Sequence, residues 1–164
     1  MTCACLLLMS LTLPARATGD DLKDTRIRTL LQRIDAYNQS FKDRRYSKVI
    51  DIWARKYRQD TQEDLRDFKK MGRLFRPDTW EVKEIHIADD RARVRILIKV
   101  RARNATSEKW EDLTTEETDF WVFERDNWYF IPLFLSDWDD SKAVEVPLPQ
   151  KSQPPPQVNI KVKP

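Results

Sequence analysis

Few residues in this chain could do chemistry by type and spacing. His86 is the only histidine, and both cysteines, Cys3 and Cys5, lie at the extreme N-terminus. One imidazole without thiols near it does not make a zinc site, which takes three or four His, Cys or carboxylate ligands. A serine–histidine–acid triad would have to use His86, and no G-x-S-x-G elbow is present. In the sequence EIHIA, His86 alternates with Ile85 and Ile87, so it is read as a strand histidine on a charged face, near Glu84 or Arg93. No D-x-D-x-D-G calcium loop appears. Gly19 and Gly72 are the only glycines, so neither a phosphate loop nor a dinucleotide fingerprint can be written. No metal and no cofactor is expected. Asp119 is the carboxylate of most interest, because it stands on a strand immediately before an aromatic run. It is read as a structural ion pair with nearby arginines rather than as a base.

That run, DFWVFERDNWYFIPLF over residues 119–134, packs seven aromatics between Phe120 and Phe134, with Trp138 just beyond. A half-buried strand needs large side chains on alternate positions only. Here Phe120 and Val122 take one face and Trp121 and Phe123 the other. On the returning strand, Trp128 and Phe130 oppose Tyr129 and Ile131. Both faces are therefore apolar. One must pack on helices, and the other is expected to be half-wet, with Trp121, Phe123 and Tyr129 as an interaction surface.

The elements that must position these residues follow from periodicity. Leu22, Ile27, Leu30, Leu31, Ile34, Tyr37 and Phe41 recur at three and four, predicting an amphipathic helix over 21–43. Asp43 is expected to cap a second helix, 43–57, with Tyr46, Val49, Ile50, Trp53 and Tyr57 inward. Thr61 and Asp64 resemble a capping box at the start of a third, 61–75, ended by Pro77. The period then becomes two. Strands are predicted over 79–88, 92–103, from about 110 or 114 to 124, and 128–133, with turns at Asp89-Asp90 and Arg125-Asp126-Asn127. In the second strand Val94, Ile96, Ile98 and Val100 face one way, and Arg93, Arg95, Lys99 and Arg101 the other. These bases are read as cross-strand partners of Glu111, Asp112, Glu116, Glu117 and Asp119.

Bulk charge agrees with that reading. Thirty Lys and Arg against 27 Asp and Glu leave a net +3, interspersed along the chain, so no nucleic-acid partner is expected. The first seventeen residues, MTCACLLLMSLTLPARA, read as a secretory signal peptide, although no Lys or Arg precedes the apolar run. Cys3–Leu13 is too short to cross a bilayer, and Ala15-Arg16-Ala17 supplies a small-x-small cleavage site. The mature chain would start near Thr18, lack cysteine and a transmembrane segment, carry a net +2, and be periplasmic or secreted. Residues 18–138 form the folded domain, and 139–164, with six of the nine prolines, a disordered tail.

Three helices followed by four antiparallel strands, the segment YNQSFKDRRYSKVIDIW and the late strand–turn–Trp signature WVFERDNWYFI resemble the nuclear transport factor 2-like superfamily, a cystatin-like α+β cone. The resemblance covers roughly residues 24–135. It departs where Asp126-Asn127 replaces the usual glycine of the last turn. It implies an α+β fold with three N-terminal helices on a curved antiparallel sheet of four or more strands. It also implies a pocket drawing on Tyr37, Tyr46, Trp53, Tyr57, Phe75, Ile98 and Phe120, and a homodimer through the sheet. Isomerase and dehydratase members pair a carboxylate base with a tyrosine donor, for which Asp119 with Tyr37, Tyr46 or Tyr57 would be the candidates; no catalytic residue is carried over by position. The expected function is an exported, non-catalytic binding domain of the cell envelope, holding an envelope protein or a small apolar ligand. The alternative is a small-molecule isomerase, dehydratase or cyclase using the same pocket.

Overall fold

The computed structural model describes residues 19–58, 61–104, 106–132 and 138–148, and the side chains from Lys23 onward. The proposed signal peptide, both cysteines, Phe134 and residues 149–164 lie outside the described residues.

Helix α1 spans Gly19–Lys42. Leu30, Ile34 and Asn38, all buried, sit four apart, as one helical face requires. The helix stops because Arg44 turns left-handed (φ 59°), with Arg45 N–H donating to the Ser40 carbonyl at 2.8 Å and Arg44 N–H to Phe41 at 3.0 Å. These two bonds satisfy the last carbonyls of the helix. The predicted second helix is cut short. Helix α2 covers only Tyr46–Ile50, has no side-chain cap, and is followed by a single turn at Arg55–Tyr57. Asp43 instead meets the Arg45 guanidinium at 2.7 Å. The break has a cause in backbone pairing. Ala54 N–H donates to the Phe130 carbonyl at 2.7 Å, and Phe130 N–H to Ile52 at 2.9 Å, so residues 52–54 pair with a strand edge instead of continuing the helix. Helix α3 spans Thr61–Leu74.

Five strands follow or complete the sheet: β1 Phe75–Ala88, β2 Arg91–Arg103, β3 Trp110–Glu124, β4 Asn127–Ile131 and β5 Val144–Glu145. They lie in the order β4-β3-β2-β1-β5, all antiparallel. Phe75, expected to end the third helix, starts β1. The β1–β2 register slips between Pro77 and Thr79 and again between Val82 and Glu84. Each slip bends the strand, and Pro77, which has no N–H to give, sits beside the first. The sheet is thereby curved over the helices.

Strand β5 falls inside the segment expected to be a tail. Val144 and Glu145 pair with Ile87 and His86, Val146 N–H donates to the Ile85 carbonyl at 2.9 Å, and the Val146 side chain is buried in the main core. The folded unit therefore runs at least to residue 148, where Leu148 packs against the same core. A strand of two residues has no period to read in a sequence.

The main core joins Leu30 and Ile34 of α1 to Ile85, Val94, Ile96, Trp121 and Trp128 on one sheet face. A second cluster, Tyr46, Val49, Ile50, Trp53 and Phe68, ties α2 to α3. Gly72 is necessary there, since a Cβ at this position would land on the Tyr46 hydroxyl.

Candidate functional site

Register decides which face each β3 residue takes. Ala92 pairs with Trp121, Val94 with Asp119, Ile96 with Glu117 and Ile98 with Thr115. The β2 members of these pairs are buried beneath the helices, so Trp121, Asp119, Glu117 and Thr115 share that concave face. Trp121 is 0% exposed and meets Tyr37 of α1 edge-on at 6.1 Å. Phe123 packs against the same core, with the Arg26 guanidinium 4.3 Å above its ring. Trp121 and Phe123 are thus packing residues against α1, not an outer aromatic surface. Tyr129 does lie on the convex side, half-buried, with the Arg33 and Arg58 guanidinium groups over its ring at 5.6 and 5.8 Å. Phe120 takes the opposite place from the one expected. It pairs with Arg93 and is buried on the convex side with Ala54, Val122 and Ile131, with the Trp138 ring tilted against it at 5.8 Å.

Strand β4 pairs only with Phe120–Glu124, so β3 from Trp110 to Asp119 extends past it. A cleft of about 630 Å³ opens in that region. Its walls are Tyr37, Asn38 and Phe41 of α1, Phe68 and Met71 of α3, Phe75 and Pro77 of β1, Ile98 and Val100 of β2, and Leu113 to Thr115 with Glu117 of β3. A smaller cleft of about 300 Å³ shares Tyr37, Phe68 and Met71 and adds Trp53, Asp64, Asp67, Phe130 and Pro132. Of the residues expected to form a pocket, Tyr37, Phe75 and Ile98 line the larger cleft and Trp53 the smaller. Tyr46 is buried, stacked on Phe68 at 6.0 Å, and Tyr57 packs beside the second and third clusters; neither lines either cleft.

The electrostatics of the concave face are one-sided. Asp119 was expected to pair with an arginine, but it faces Val94, and the arginines take other partners. Arg95 bonds Glu84 at 3.0 Å and Glu116 at 3.2 Å, Arg101 meets Asp112 at 3.5 Å, and Arg93 meets Asp140 at 2.7 Å. Among the described residues neither Asp119 nor Glu117 has an ion-pair partner. Burial, and then the charge of Glu117, push the Asp119 carboxyl up from 3.8 to about 7. Partial burial also raises Glu117. Burial raises the Tyr37 phenol, and the Asp119 carboxylate adds to that shift. The indole N–H of Trp53 is directed toward the Tyr37 hydroxyl without reaching hydrogen-bond geometry, and that of Trp121 is likewise buried and unpartnered. His86 sits on the charged side, Nε2 3.6 Å from Glu84. Among the described residues no group of His, Cys, Asp or Glu is arranged to hold a metal, and no helix is long and apolar enough to cross a membrane.

The signal missed in the sequence was Glu117–Asp119 on the Val94–Ile96 side of the sheet. Alternation counted from Trp121 links these carboxylates to it, but only a known register links all three to the apolar side of β2.

No family model and no curated protein matches the sequence. Solved structures do match. A ketosteroid isomerase-like protein from Erwinia carotovora atroseptica superposes with a TM-score of 0.53 at 14% identity, over 64% of this chain and 90% of that one. A protein of unknown function from Mycobacterium tuberculosis gives 0.49 at 12% identity, over 69% and 72%. A candidate dehydratase of the nuclear transport factor 2-like family from Streptomyces avermitilis gives 0.45 at 9% identity, over 65% and 92%. Helices first, then an antiparallel sheet, is the fold this chain shares with the ketosteroid isomerase-like protein, consistent with the nuclear transport factor 2-like fold.

Proposed function

We propose that this chain is an exported binding domain that holds a small, largely apolar ligand in the cleft between α1, α3 and the end of the sheet. The observation that carries the reading is the cleft itself. About 630 Å³ lined by Tyr37, Phe41, Phe68, Phe75 and Ile98 lies within the range of small-molecule sites, and apolar walls with a few polar groups are their usual composition. Phe75 and Met71 remain 43% and 40% exposed beside it, as the mouth of a site would leave them. The test is a titration with the neutral dye N-phenyl-1-naphthylamine, followed by fluorescence. Saturable binding abolished by Thr115→Trp, which fills the cleft from β3, is the expected result. Binding unchanged in that variant overturns the reading. Export is tested separately: expression of the full chain in a bacterial host should yield periplasmic protein with its N-terminus at Thr18.

A second reading, proton transfer of the isomerase or dehydratase type, is favoured by one observation. The Asp119 carboxyl, poised near neutrality behind Glu117, interacts with the Tyr37 phenol. Against it, Asp119 lines neither cleft. Deuterium exchange of the α-protons of 2-tetralone, lost in Asp119→Asn, would support catalysis; no enhancement over buffer would dismiss it.

A further inference from the structure

The polar groups around the cleft are unequal in kind. Its carboxylate is Glu117, and behind it on the same face stands Asp119, mostly buried, with no ion pair and no hydrogen bond among the described residues. Thr114 and Thr115 add hydroxyl acceptors. Among the described residues no Lys, Arg or His lines this cleft or the adjoining one, although the chain carries thirty Lys and Arg. The aromatic walls present ring faces, which carry partial negative charge and attract cations. A carboxylate held partly out of water without a counter-charge is destabilised, and an incoming cation relieves that.

Resting on the binding reading above, we infer that the occupant of the Tyr37–Glu117 cleft is a cationic amphiphile, a protonated amine on an apolar body. The apolar body fills the space among Phe41, Phe68 and Ile98. The ammonium lies toward Glu117, with Asp119 as the second negative charge. Three ring-matched probes separate this from simple hydrophobic uptake: 1-naphthylmethylamine, 1-naphthalenemethanol and 1-naphthoate, titrated by calorimetry into the full chain.

At pH 8 the amine should bind about tenfold more tightly than the alcohol, with the carboxylate weakest. Glu117→Gln should bring the amine to within about threefold of the alcohol. The groups facing Asp119 are Tyr37 from α1 and Glu117 from its own strand. Val94, opposite Asp119 on β2, carries no charge, and neither do Phe130 and Trp53, which pack around Tyr37. On lowering the pH to 6, Asp119 takes up its proton, so the amine's advantage should shrink at least about threefold in the natural chain and not in Asp119→Asn. Equal binding of amine and alcohol, or an advantage undiminished by Glu117→Gln, overturns the inference and leaves the apolar site standing. Failure of all three probes to bind removes both.

Discussion

Asp119 stands directly across from Val94 in the β2–β3 ladder, so its carboxyl shares the apolar concave face with a residue that is 0% exposed. The convex arginines, one residue away along β2, point to the other side. A single step of register separates a carboxylate neutralised by Arg93 or Arg95 from one buried without a cation.

The contribution of Asp119 to stability should fall as the pH rises through the acid range. In the unfolded chain Asp119 ionises near its ordinary value of 3.8, while in the folded chain it keeps its proton to about 7. Between these values the folded state binds more protons, so raising the pH favours unfolding, and the loss is complete above about 7. Glu117 acts in the same direction. Urea denaturation at pH 4 and pH 8 should show Asp119→Asn more stable than the natural chain by about 1–3 kcal/mol at pH 8, with the difference nearly gone at pH 4. A variant less stable at pH 8 would contradict the burial of this carboxyl.

Two tryptophans of equal burial should respond differently to truncation. Trp121 and Trp128 are both 0% exposed. Trp128 Nε1 donates to the Arg26 carbonyl at 2.9 Å, whereas Trp121 Nε1 has no partner. Replacement by Phe creates a similar void at each, about 1–3 kcal/mol. Trp128→Phe also removes the bond to the Arg26 carbonyl, so it should cost about 1 kcal/mol more than Trp121→Phe. The paired change Trp121→Ser with Phe123→Ser should unfold the chain rather than free a surface, which near-ultraviolet circular dichroism would show.

Sequence and structure part company where two signals are equally strong. Leu30 and Ile34 announce α1, and Val94, Ile96 and Ile98 announce the inward side of β2, because their alternatives are polar. Phe120 and Trp121 offer no such contrast. Both faces are apolar, and the turn together with the β2 pairing selects between them. The convex side at Phe120 is covered after all, by Ala54 and Tyr57 from the chain after α2 and by Trp138. Those covers come from segments whose backbone pairs with β4 or follows it, a tertiary effect that local periodicity does not carry. The cleft was legible in Tyr37, Phe75 and Ile98. Its carboxylate was not, since Glu117 and Asp119 look like partners for the arginine ladder until the register is known.

The β3–β4 hairpin bends through two non-glycine residues in the left-handed region, Arg125 (φ 51°) and Asp126 (φ 62°). A two-residue turn of this kind suits Asn-Gly, because side chains other than Asn or Asp are strained there. Arg125→Asn with Asp126→Gly should stabilise the chain by about 0.5–1.5 kcal/mol, read as an upward shift in thermal midpoint. Placing Val at Arg125 should lower it. No change in either direction would mean that the turn is not the one described.

Gly72 and Tyr46 make the sharpest packing test. A methyl group at Gly72 would overlap the Tyr46 hydroxyl and crowd the ring carbon that bears it, at 2.8 Å. Helix propensity alone favours alanine over glycine by about 1 kcal/mol in a helix interior. Here the collision should outweigh that gain, because Tyr46 is wedged between Phe41 and Phe68, with centroids at 5.7 and 6.0 Å, and cannot swing aside cheaply. Gly72→Ala should therefore destabilise by about 1–3 kcal/mol. Tyr46→Phe removes the oxygen but not the ring carbon, so the double variant should recover part of the loss and not all of it. A coupling energy in that cycle of about 0.5 kcal/mol or more identifies the contact; additive effects would show that α2 and α3 do not meet at this point.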